Sequence, residues 1–434
     1  MHRPPAYDSP APDGGAAVAV ETARLPNGLR IVVIPDRRCP VVTHMVWYRT
    51  GAAEDPPGRS GTAHFLEHLM FKGTARYPAG AFSAFLGSVG GRENAFTSWN
   101  YTCYHQQVAR PHLRACMAFE ADRMGRLAID EAVAATERAV ILEERATVAD
   151  GRPQALLEEA MAAALIPEHP AGRPIIGWRH EIAGLAAADA QAYHGRFTVP
   201  ANAILIVAGD TTVEEVVRLA EDAYGPVPGG AAFVRRPAPN PLPPVGRRIT
   251  LADARVRQPQ MQRLHAVPAP GTAAPGEAEA LTVLCHLLGG GRTSALHRRL
   301  VVEVRCASSV GAYYLSEYFA QQSRFYLVAE PAAGVTPEAL DDAVEAALQA
   351  VRDTGFAPAA IARAKTQLVA DALYARDSQV QLASWYGRAL ALGGSLADLA
   401  GWQDRIEAVT PEALAAALTF LDRRHGVSGY LVGG

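Results

Sequence analysis

The stretch AHFLEHLMFKG at residues 63–73 has apolar residues at helical spacing, interrupted by two histidines and a glutamate. It follows a loop rich in glycine and proline, so we expect a helix to begin near Gly61. His64 and His68 are four positions apart, which puts both imidazoles on one face of that helix about one turn apart. This is the spacing that two imidazoles need in order to share one zinc ion.

Glu67 projects beside the two histidines. A carboxylate at this position can take a proton from a zinc-bound water, whose pKa the metal lowers to about 7, and pass it to a leaving amine. The alternative is a helix that carries two solvated histidines, because short motifs of this kind also arise by chance. The motif therefore predicts a hydrolytic zinc site that needs a third protein ligand.

The segment TERAVILEERATV at residues 136–148 can supply that ligand. It reads as a helix, and Glu137 and Glu144, seven residues apart, lie on the same face of it. Glu143 points about a quarter-turn away. We assign Glu144 as the third ligand and Glu137 as an acid that orients a histidine or the water. For Glu137 and Glu143 a charged solvent face is the open alternative.

Composition narrows the class of partner and the compartment. The formal net charge of −3 is spread over 41 basic and 44 acidic residues without long blocks of one sign, so we expect a peptide partner and no nucleic acid or membrane. The five cysteines include no CxxC pair, which favours a reducing compartment. Residues 1–20 have no secretory signal and are predicted to be a flexible tail. With no apolar run long enough to span a membrane, a cytoplasmic protein is expected.

ALLEEAMAAAL at residues 155–165 and VEEVVRLAEDAYG at residues 213–225 have apolar residues at helical spacing. Strands and helices therefore alternate along the chain, and an α+β fold is predicted. Residues 28–36 and 41–51 are rich in β-branched and aromatic residues, and we expect two neighbouring strands there. A stretch rich in proline and glycine predicts a linker at residues 226–246. The linker would divide a catalytic zinc-binding domain, residues 21–225, from a second domain, residues 247–434.

The two halves resemble each other in sequence. Residues 63–73 align with LTVLCHLLGGG at residues 281–291, and residues 194–210 align loosely with residues 419–434, which indicates a duplicated α/β unit. In the second copy Thr282 and Cys285 stand where the first has His64 and Glu67, and only His286 is kept. We therefore expect a non-catalytic second domain in which His286 is a structural remnant.

Four segments carry a resemblance to a known family. They are HFLEHLMFKGT, GGRENAFTSWNYTCYH, ERAVILEE and YHGRFTVPANAILIVAGD, which span most of residues 25–225. In their order and spacing they resemble the pitrilysin family of inverted-motif zinc peptidases. Within that family the first half is most similar to the catalytic subunit of the mitochondrial processing peptidases and to their bacterial relatives.

The resemblance implies a fold, a site and an activity. It implies two homologous α/β domains that form half of a clamshell, and one Zn²⁺ per chain held by His64, His68 and Glu144. It implies that Glu67 is the general base and that Glu137 is a further acidic residue at the site. The strand that pairs with substrate would fall on Asn94, Ala95, Phe96 and Thr97, with an ordinary edge strand as the alternative.

One departure from the family pattern points to a partner chain. Self-sufficient members carry, in the second half, an Arg followed seven residues later by a Tyr, which steadies the tetrahedral intermediate. A gapless alignment puts Val301 and Ser308 at these places, and only a gap would bring in Arg305 and Tyr313. We therefore expect a heterodimer in which a homologous subunit supplies the Arg/Tyr pair.

The expected function is that of a zinc metalloendopeptidase that hydrolyses peptides or unfolded segments in an enclosed chamber. The alternative is a non-catalytic binding or assembly subunit of the same fold. The complete set of ligand residues argues against that alternative. A metal-independent hydrolase lacks support, because the sequence contains no GxSxG motif.

Overall fold

Two β-sheets form the centres of two compact units. The structure is a computed structural model, and it describes residues 20–167, 169–236 and 245–434. The predicted tail lies outside these residues except for its last position, and so does most of the second half of the predicted linker.

The first unit contains a six-stranded sheet and the second a five-stranded sheet. Strands of the first sheet are β1 (Glu21–Arg24), β2 (Arg30–Pro35), β3 (Val41–Tyr48), β4 (Arg92–Thr97), β5 (Thr102–Ala109) and β6 (Ala203–Gly209). Strands of the second sheet are β7 (Arg247–Ala252), β8 (Gln260–Pro268), β9 (Ala307–Tyr314), β10 (Gln322–Pro331) and β11 (Gly426–Val432).

The α-helices fall between the strands and after them. From the N-terminal side they are α1 (Thr62–Leu69), α2 (Ala81–Ser88), α3 (Leu113–Arg126), α4 (Glu131–Arg145), α5 (Pro153–Leu165), α6 (Arg179–Ile182), α7 (Ala187–Phe197) and α8 (Val213–Tyr224). They continue with α9 (Glu277–Gly289), α10 (Pro337–Thr354), α11 (Pro358–Ala375), α12 (Gln379–Ala391), α13 (Leu396–Ala400), α14 (Trp402–Ala408) and α15 (Pro411–Leu418). Short π-helical segments cover Ala146–Asp150 and His297–Glu303.

Strand order corrects one expectation from the sequence. The first sheet has the order β1-β2-β6-β3-β5-β4, so β2 and β3 are not neighbours. Strand β6 lies between them, parallel to β2 and antiparallel to β3. Its sequence AILIVAG is buried at every position, and a strand that is apolar on both faces belongs at the centre of a sheet.

The second sheet repeats this arrangement, which confirms the predicted duplication. Its order is β7-β11-β8-β10-β9, and β11 is parallel to β7 and antiparallel to β8. Strands β6 and β11 therefore occupy equivalent central places, as the alignment of residues 194–210 with residues 419–434 predicts. In each sheet the strand at one end, β4 or β9, pairs with a single neighbour among the described residues.

The boundary between the units is less simple than one linker. Among the described residues, the first unit consists of residues 20–143, 174–236 and 375–392, and the second of residues 144–173, 245–374 and 393–434. Two segments thus lie on the other side of the predicted division.

Close packing explains both assignments. In the first unit Gly387 of α12 lies so near Trp47 that a Cβ would meet the ring at 2.1 Å. In the second unit Gly429 of β11 leaves room for Met161 of α5. The apolar pattern at residues 155–165 predicted α5, but it carried no information about which sheet that helix covers. Helix α12 was not predicted from the sequence.

Candidate metal centre

Helix α1 is fixed at its first turn by contacts that hold the motif in place. The buried carboxylate of Asp55 accepts hydrogen bonds from the backbone N–H groups of Gly61 at 2.7 Å and Ala63 at 2.8 Å. It caps two of the N–H groups that have no partner inside the helix. Gly61 has φ 89°, and a Cβ there would meet the Ile176 carbonyl oxygen at 2.5 Å, so this position requires glycine.

The two histidines leave α1 side by side. The ring centroids of His64 and His68 lie 4.8 Å apart, with an angle of 69° between the ring planes. Both side chains are partly buried, whereas Phe65 and Leu66 between them face the core. The amphipathic pattern of the helix therefore turns the two imidazoles toward one place.

Helix α4 brings a carboxylate to the same place. Ligand atoms of His64, His68 and Glu144 all lie within 4.8 Å of one another, which is close enough to share one metal ion. It is the one such group of histidines, cysteines and acids in the described part of the chain. The boundary between the units falls between Glu143 and Glu144, inside the last turn of α4, so Glu144 continues a helix of the first unit. Glu143 is exposed, as its quarter-turn offset predicts.

Glu137 contacts one of the two histidines and is not part of the ligand group itself. It is buried, and its Oε2 lies 3.5 Å from Nδ1 of His68. Its other oxygen, Oε1, is 2.8 Å from Nζ of Lys72. Glu137 therefore does not lie on a charged, solvent-exposed face of α4, which is the alternative that the sequence left open. A carboxylate against Nδ1 fixes the orientation of an imidazole and leaves Nε2 for a metal.

Lys72 is a residue that the sequence reasoning missed. It lies within the stretch 63–73, four positions after His68, but just beyond the end of α1 at Leu69. Helical spacing therefore does not predict where its side chain goes. The available signal was its charge, because a buried acid such as Glu137 needs a cation nearby.

Glu67 contacts the edge strand of the first sheet. The hydroxyl of Thr97, at the end of β4, donates a hydrogen bond of 2.5 Å to Oε2 of Glu67. The Tyr104 ring lies buried on β5, where burial and, secondarily, the charge of Glu67 raise the pKa of its hydroxyl well above the ordinary value. Tyr104 therefore stays neutral beside the glutamate.

The four residues predicted to pair with substrate all lie on β4. Asn94 is exposed, whereas Ala95, Phe96 and Thr97 are partly buried. The Phe96 ring packs edge-on against Trp47, with 5.4 Å between ring centroids. Among the described residues β4 pairs only with β5, so it is the edge strand of this sheet, and the side chain of its last residue, Thr97, contacts Glu67.

The donor set fits a zinc ion. Two imidazole nitrogens and one carboxylate oxygen make up a known ligand set of catalytic zinc, which keeps a fourth position open for water or substrate. Imidazole ligands disfavour calcium and magnesium, which prefer oxygen.

In the described part of the second unit, the residues that align with the zinc motif do not form a metal-binding group. Nε2 of His286 lies 2.9 Å from Oε1 of Gln367, and no metal-binding group of histidines and acids occurs there within the described residues. Val301 lies in the π-helical segment, and Ser308 is exposed on β9. Arg305 and Tyr313 are exposed as well, and Arg305 is the one residue other than glycine with positive φ among those described.

Comparisons with known proteins agree with this architecture. The family profile described as Insulinase (Peptidase family M16) matches residues 30–178, and that described as Peptidase M16 inactive domain matches residues 184–368. An uncharacterised zinc protease of Streptomyces coelicolor is 30% identical over 420 residues, which cover 94% of this chain and 89% of that protein. The mitochondrial-processing peptidase subunit beta of Blastocladiella emersonii is 30% identical over 248 residues, covering 56% and 51%.

Comparison with solved structures finds a protease with the same fold. A protease from Helicobacter pylori superposes with a TM-score of 0.88 at 26% identity and covers 95% of this chain and 99% of that one. In the described residues, no helix combines the length and apolar character needed to cross a membrane.

Proposed function

Since the chain belongs to peptidase family M16, also called the pitrilysin family, we propose that it is a zinc-dependent endopeptidase that cuts peptides or unfolded segments. Its homologues include proteins named zinc proteases. The observation that carries the proposal is the convergence of His64, His68 and Glu144 beside a glutamate that touches an edge strand.

His64, His68 and Glu144 would hold one zinc ion per chain. When bound, zinc supplies a water whose pKa is lowered to about 7 and polarises the carbonyl that is attacked. Glu137 holds the His68 ring through Nδ1 and so presents its other nitrogen to the ligand position. Lys72 balances the charge of Glu137 through the other carboxylate oxygen, Oε1.

Glu67 would be the group that moves protons. Its carboxylate accepts the proton of the attacking water and then delivers it to the leaving amine. Thr97 donates a hydrogen bond to one of its two oxygens and so orients the carboxylate.

Strand β4 would position the substrate. An extended peptide that adds to the free side of β4 along Asn94, Ala95, Phe96 and Thr97 forms main-chain hydrogen bonds and runs toward Glu67. Only an extended segment can pair in this way, which supports peptides and unfolded segments as the substrate class.

A homologous partner subunit is part of the proposal. Val301 and Ser308 stand where a self-sufficient member has its Arg/Tyr pair, and the hydroxyl of Ser308 already bonds the Glu330 carbonyl oxygen at 3.3 Å. Without such donors the tetrahedral intermediate loses on the order of 3 kcal/mol per donor. We therefore propose a heterodimer in which this chain carries the zinc motif.

We further propose a cytoplasmic location. All five cysteines are free thiols, and two of them, Cys103 and Cys116, are buried. Burial raises the pKa of the Cys116 thiol to about 12, so it stays protonated. Free thiols fit a reducing compartment.

The test is peptidase activity on a quenched fluorescent peptide. Wild type and Glu67→Gln are each assayed alone and with a co-expressed homologue that carries an Arg/Tyr pair, and the zinc content of every sample is measured. We expect activity only with both chains, and a loss of about 10²-fold to 10⁴-fold in Glu67→Gln with zinc retained. Equal activity of the single chain would refute the heterodimer. Zinc without activity in any combination would favour a non-catalytic binding subunit.

A further inference from the structure

The second unit contains a cavity at the place that corresponds to the metal centre of the first. His286 of α9 aligns with His68, and it bonds Gln367 of α11 at 2.9 Å. Thr282 and Cys285 stand at the positions of His64 and Glu67. The Thr282 hydroxyl donates a hydrogen bond of 2.8 Å to the Ala278 carbonyl oxygen of its own helix. Beside His286 a cavity of about 340 Å³ opens. The second unit thus has a cavity beside the histidine that aligns with His68, but not the other residues of the motif.

The wall of this cavity is cationic. Arg298, Arg299 and Arg363 line it, together with the single acid Glu303, which leaves a formal charge of +2 with His286 neutral. Glu303 forms ion pairs with two of these arginines, because its carboxylate oxygens lie 3.2 Å from Nη1 of Arg299 and 3.7 Å from Nη2 of Arg298. Arg363 is exposed, and no other side chain or carbonyl of the described residues pairs with its guanidinium. The cavity therefore presents more positive charge than the chain itself neutralises.

A buried hydroxyl in the same wall also lacks a partner. Ser294 is 4% exposed and lines the cavity, and its Oγ makes no hydrogen bond within the part of the chain that the structure describes. Leaving a buried polar group unpaired is costly, and native proteins generally satisfy such groups. An acceptor atom inside the cavity would give this hydroxyl its bond.

Apolar side chains complete the lining. Leu287, Val351 and Phe356 form part of the wall, and the first of these is almost fully buried. The volume lies at the lower end of the range for pockets that hold small organic ligands. It is larger than an inorganic phosphate ion alone would fill.

From these observations we infer that the cavity binds an oxyanion, a carboxylate or a phosphate, joined to a small apolar group. Arg363 donates charge-assisted hydrogen bonds to the oxyanion, Ser294 donates one more, and the apolar wall covers the remainder of the ligand. Arginine is suited to this role because its planar fork matches both anions. The inference does not depend on peptidase activity.

Isothermal titration calorimetry tests the inference on the full chain with two kinds of probe. Inorganic phosphate is one, and N-acetylphenylalanine, compared with its amide, is the other. The variants are Arg363→Gln and Ser294→Ala, with Arg257→Gln as the matched control, because Arg257 is an exposed arginine outside the cavity. Circular dichroism and thermal melting verify that each variant is folded.

We expect at least one anion to bind wild type, with the amide weaker than the acid by about tenfold or more. Arg363→Gln weakens binding by a similar factor, Ser294→Ala weakens it severalfold, and Arg257→Gln leaves it unchanged. Added salt weakens binding as well, because the cavity is open to solvent. Tighter binding of phosphate assigns the site to phosphate ligands, and tighter binding of the acid assigns it to carboxylates.

Two results would overturn the inference. The first is that neither anion binds wild type at millimolar concentration. The second is that Arg363→Gln binds as wild type does, since an anion held at the metal centre of the first unit would not sense this substitution.

Discussion

The Thr97 hydroxyl donates a 2.5 Å hydrogen bond to Oε2 of Glu67, which joins the end of an edge strand to the proposed general base. The strand that would align a peptide and the group that would move its protons are therefore one connected unit. A substitution at Thr97 should act on turnover more than on substrate binding.

We predict that Thr97→Val lowers kcat about 10-fold to 100-fold with a smaller change in KM, because a hydrogen bond to a charged group contributes about 1.5–3 kcal/mol. Valine keeps the shape of threonine and its preference for strands. Steady-state kinetics with Thr97→Ser, which keeps the hydroxyl, is the control. Equal losses in both variants would show that packing, and not the hydrogen bond, matters here.

Adjacent glutamates on α4 should behave differently toward metal. Glu144→Gln should lower zinc affinity at least about 100-fold, because it removes a proposed ligand. Loss of a residue that only hydrogen-bonds a ligand already lowers metal affinity about 10-fold to 100-fold. Glu143→Gln changes the charge equally at an exposed neighbour and should leave affinity unchanged. Competition with a chromogenic chelator measures both. Similar affinities for the two variants would remove Glu144 from the ligand set.

Lys72 offers a test of the outer partners of the site. Lys72→Met should weaken zinc binding about 10-fold to 100-fold, since the Glu137 carboxylate then loses the cation 2.8 Å away and holds His68 less firmly. Lys72→Arg keeps the charge and should recover most of the affinity. If methionine and arginine gave the same zinc affinity, Lys72 would have no positioning role.

His265 should make the stability of the second unit depend on pH. Burial, followed by the nearby cations Arg263 and Arg352, lowers the pKa of His265 from 6.5 to about 3. Both of its ring nitrogens lack hydrogen-bond partners among the described residues.

Below pH 6.5 the His265 side chain is protonated in the unfolded chain but stays neutral in the folded state. The free energy of unfolding therefore falls as the pH decreases from 6.5 toward 3. At pH 5.5 the loss is about 1.4 kcal/mol. We expect His265→Leu to show a smaller drop in thermal midpoint between pH 7.5 and 5.5 than wild type. The exposed His180, replaced by Gln, serves as the control. An unchanged drop in His265→Leu would contradict the prediction.

Gly387 tests the assignment of α12 to the first unit. Gly387→Ala should lower the free energy of unfolding by about 1–3 kcal/mol, because the added Cβ overlaps the buried Trp47 ring. Gly195→Ala in α7 has open space around it and should stabilise by about 0.5–1 kcal/mol, as alanine does in helices. Denaturant unfolding followed by tryptophan fluorescence distinguishes the two. Stabilisation by both variants would mean that α12 packs elsewhere.

The sequence predicted the parts of the site that depend on helical spacing. His64 and His68 share a face because they are four residues apart, and Glu137 and Glu144 because they are seven apart, and the structure brings all four to one place. Whether they bind zinc stays a prediction. Lys72 and the contact of Thr97 with Glu67 were missed, because these side chains meet through tertiary packing and not through periodicity.

The same limit applies to the fold. Local patterns predicted β2 and β3, but the insertion of β6 between them joins residues far apart in sequence. Likewise the pattern ALLEEAMAAAL predicted α5 as a helix, while only close packing, such as Met161 against Gly429, determines which sheet it covers. The duplicated architecture was predictable because the two halves resemble each other in sequence, and a repeat in sequence indicates a repeat in fold.

The free side of β4 has a consequence for the behaviour of the protein in solution. An open strand edge is a template for aggregation unless it is short or charged. Strand β4 has six residues and begins with Arg92, whose exposed charge hinders the approach of a second copy. Solubility and the proposed capture of peptides would then depend on the same six residues, so a change that improves one is expected to alter the other.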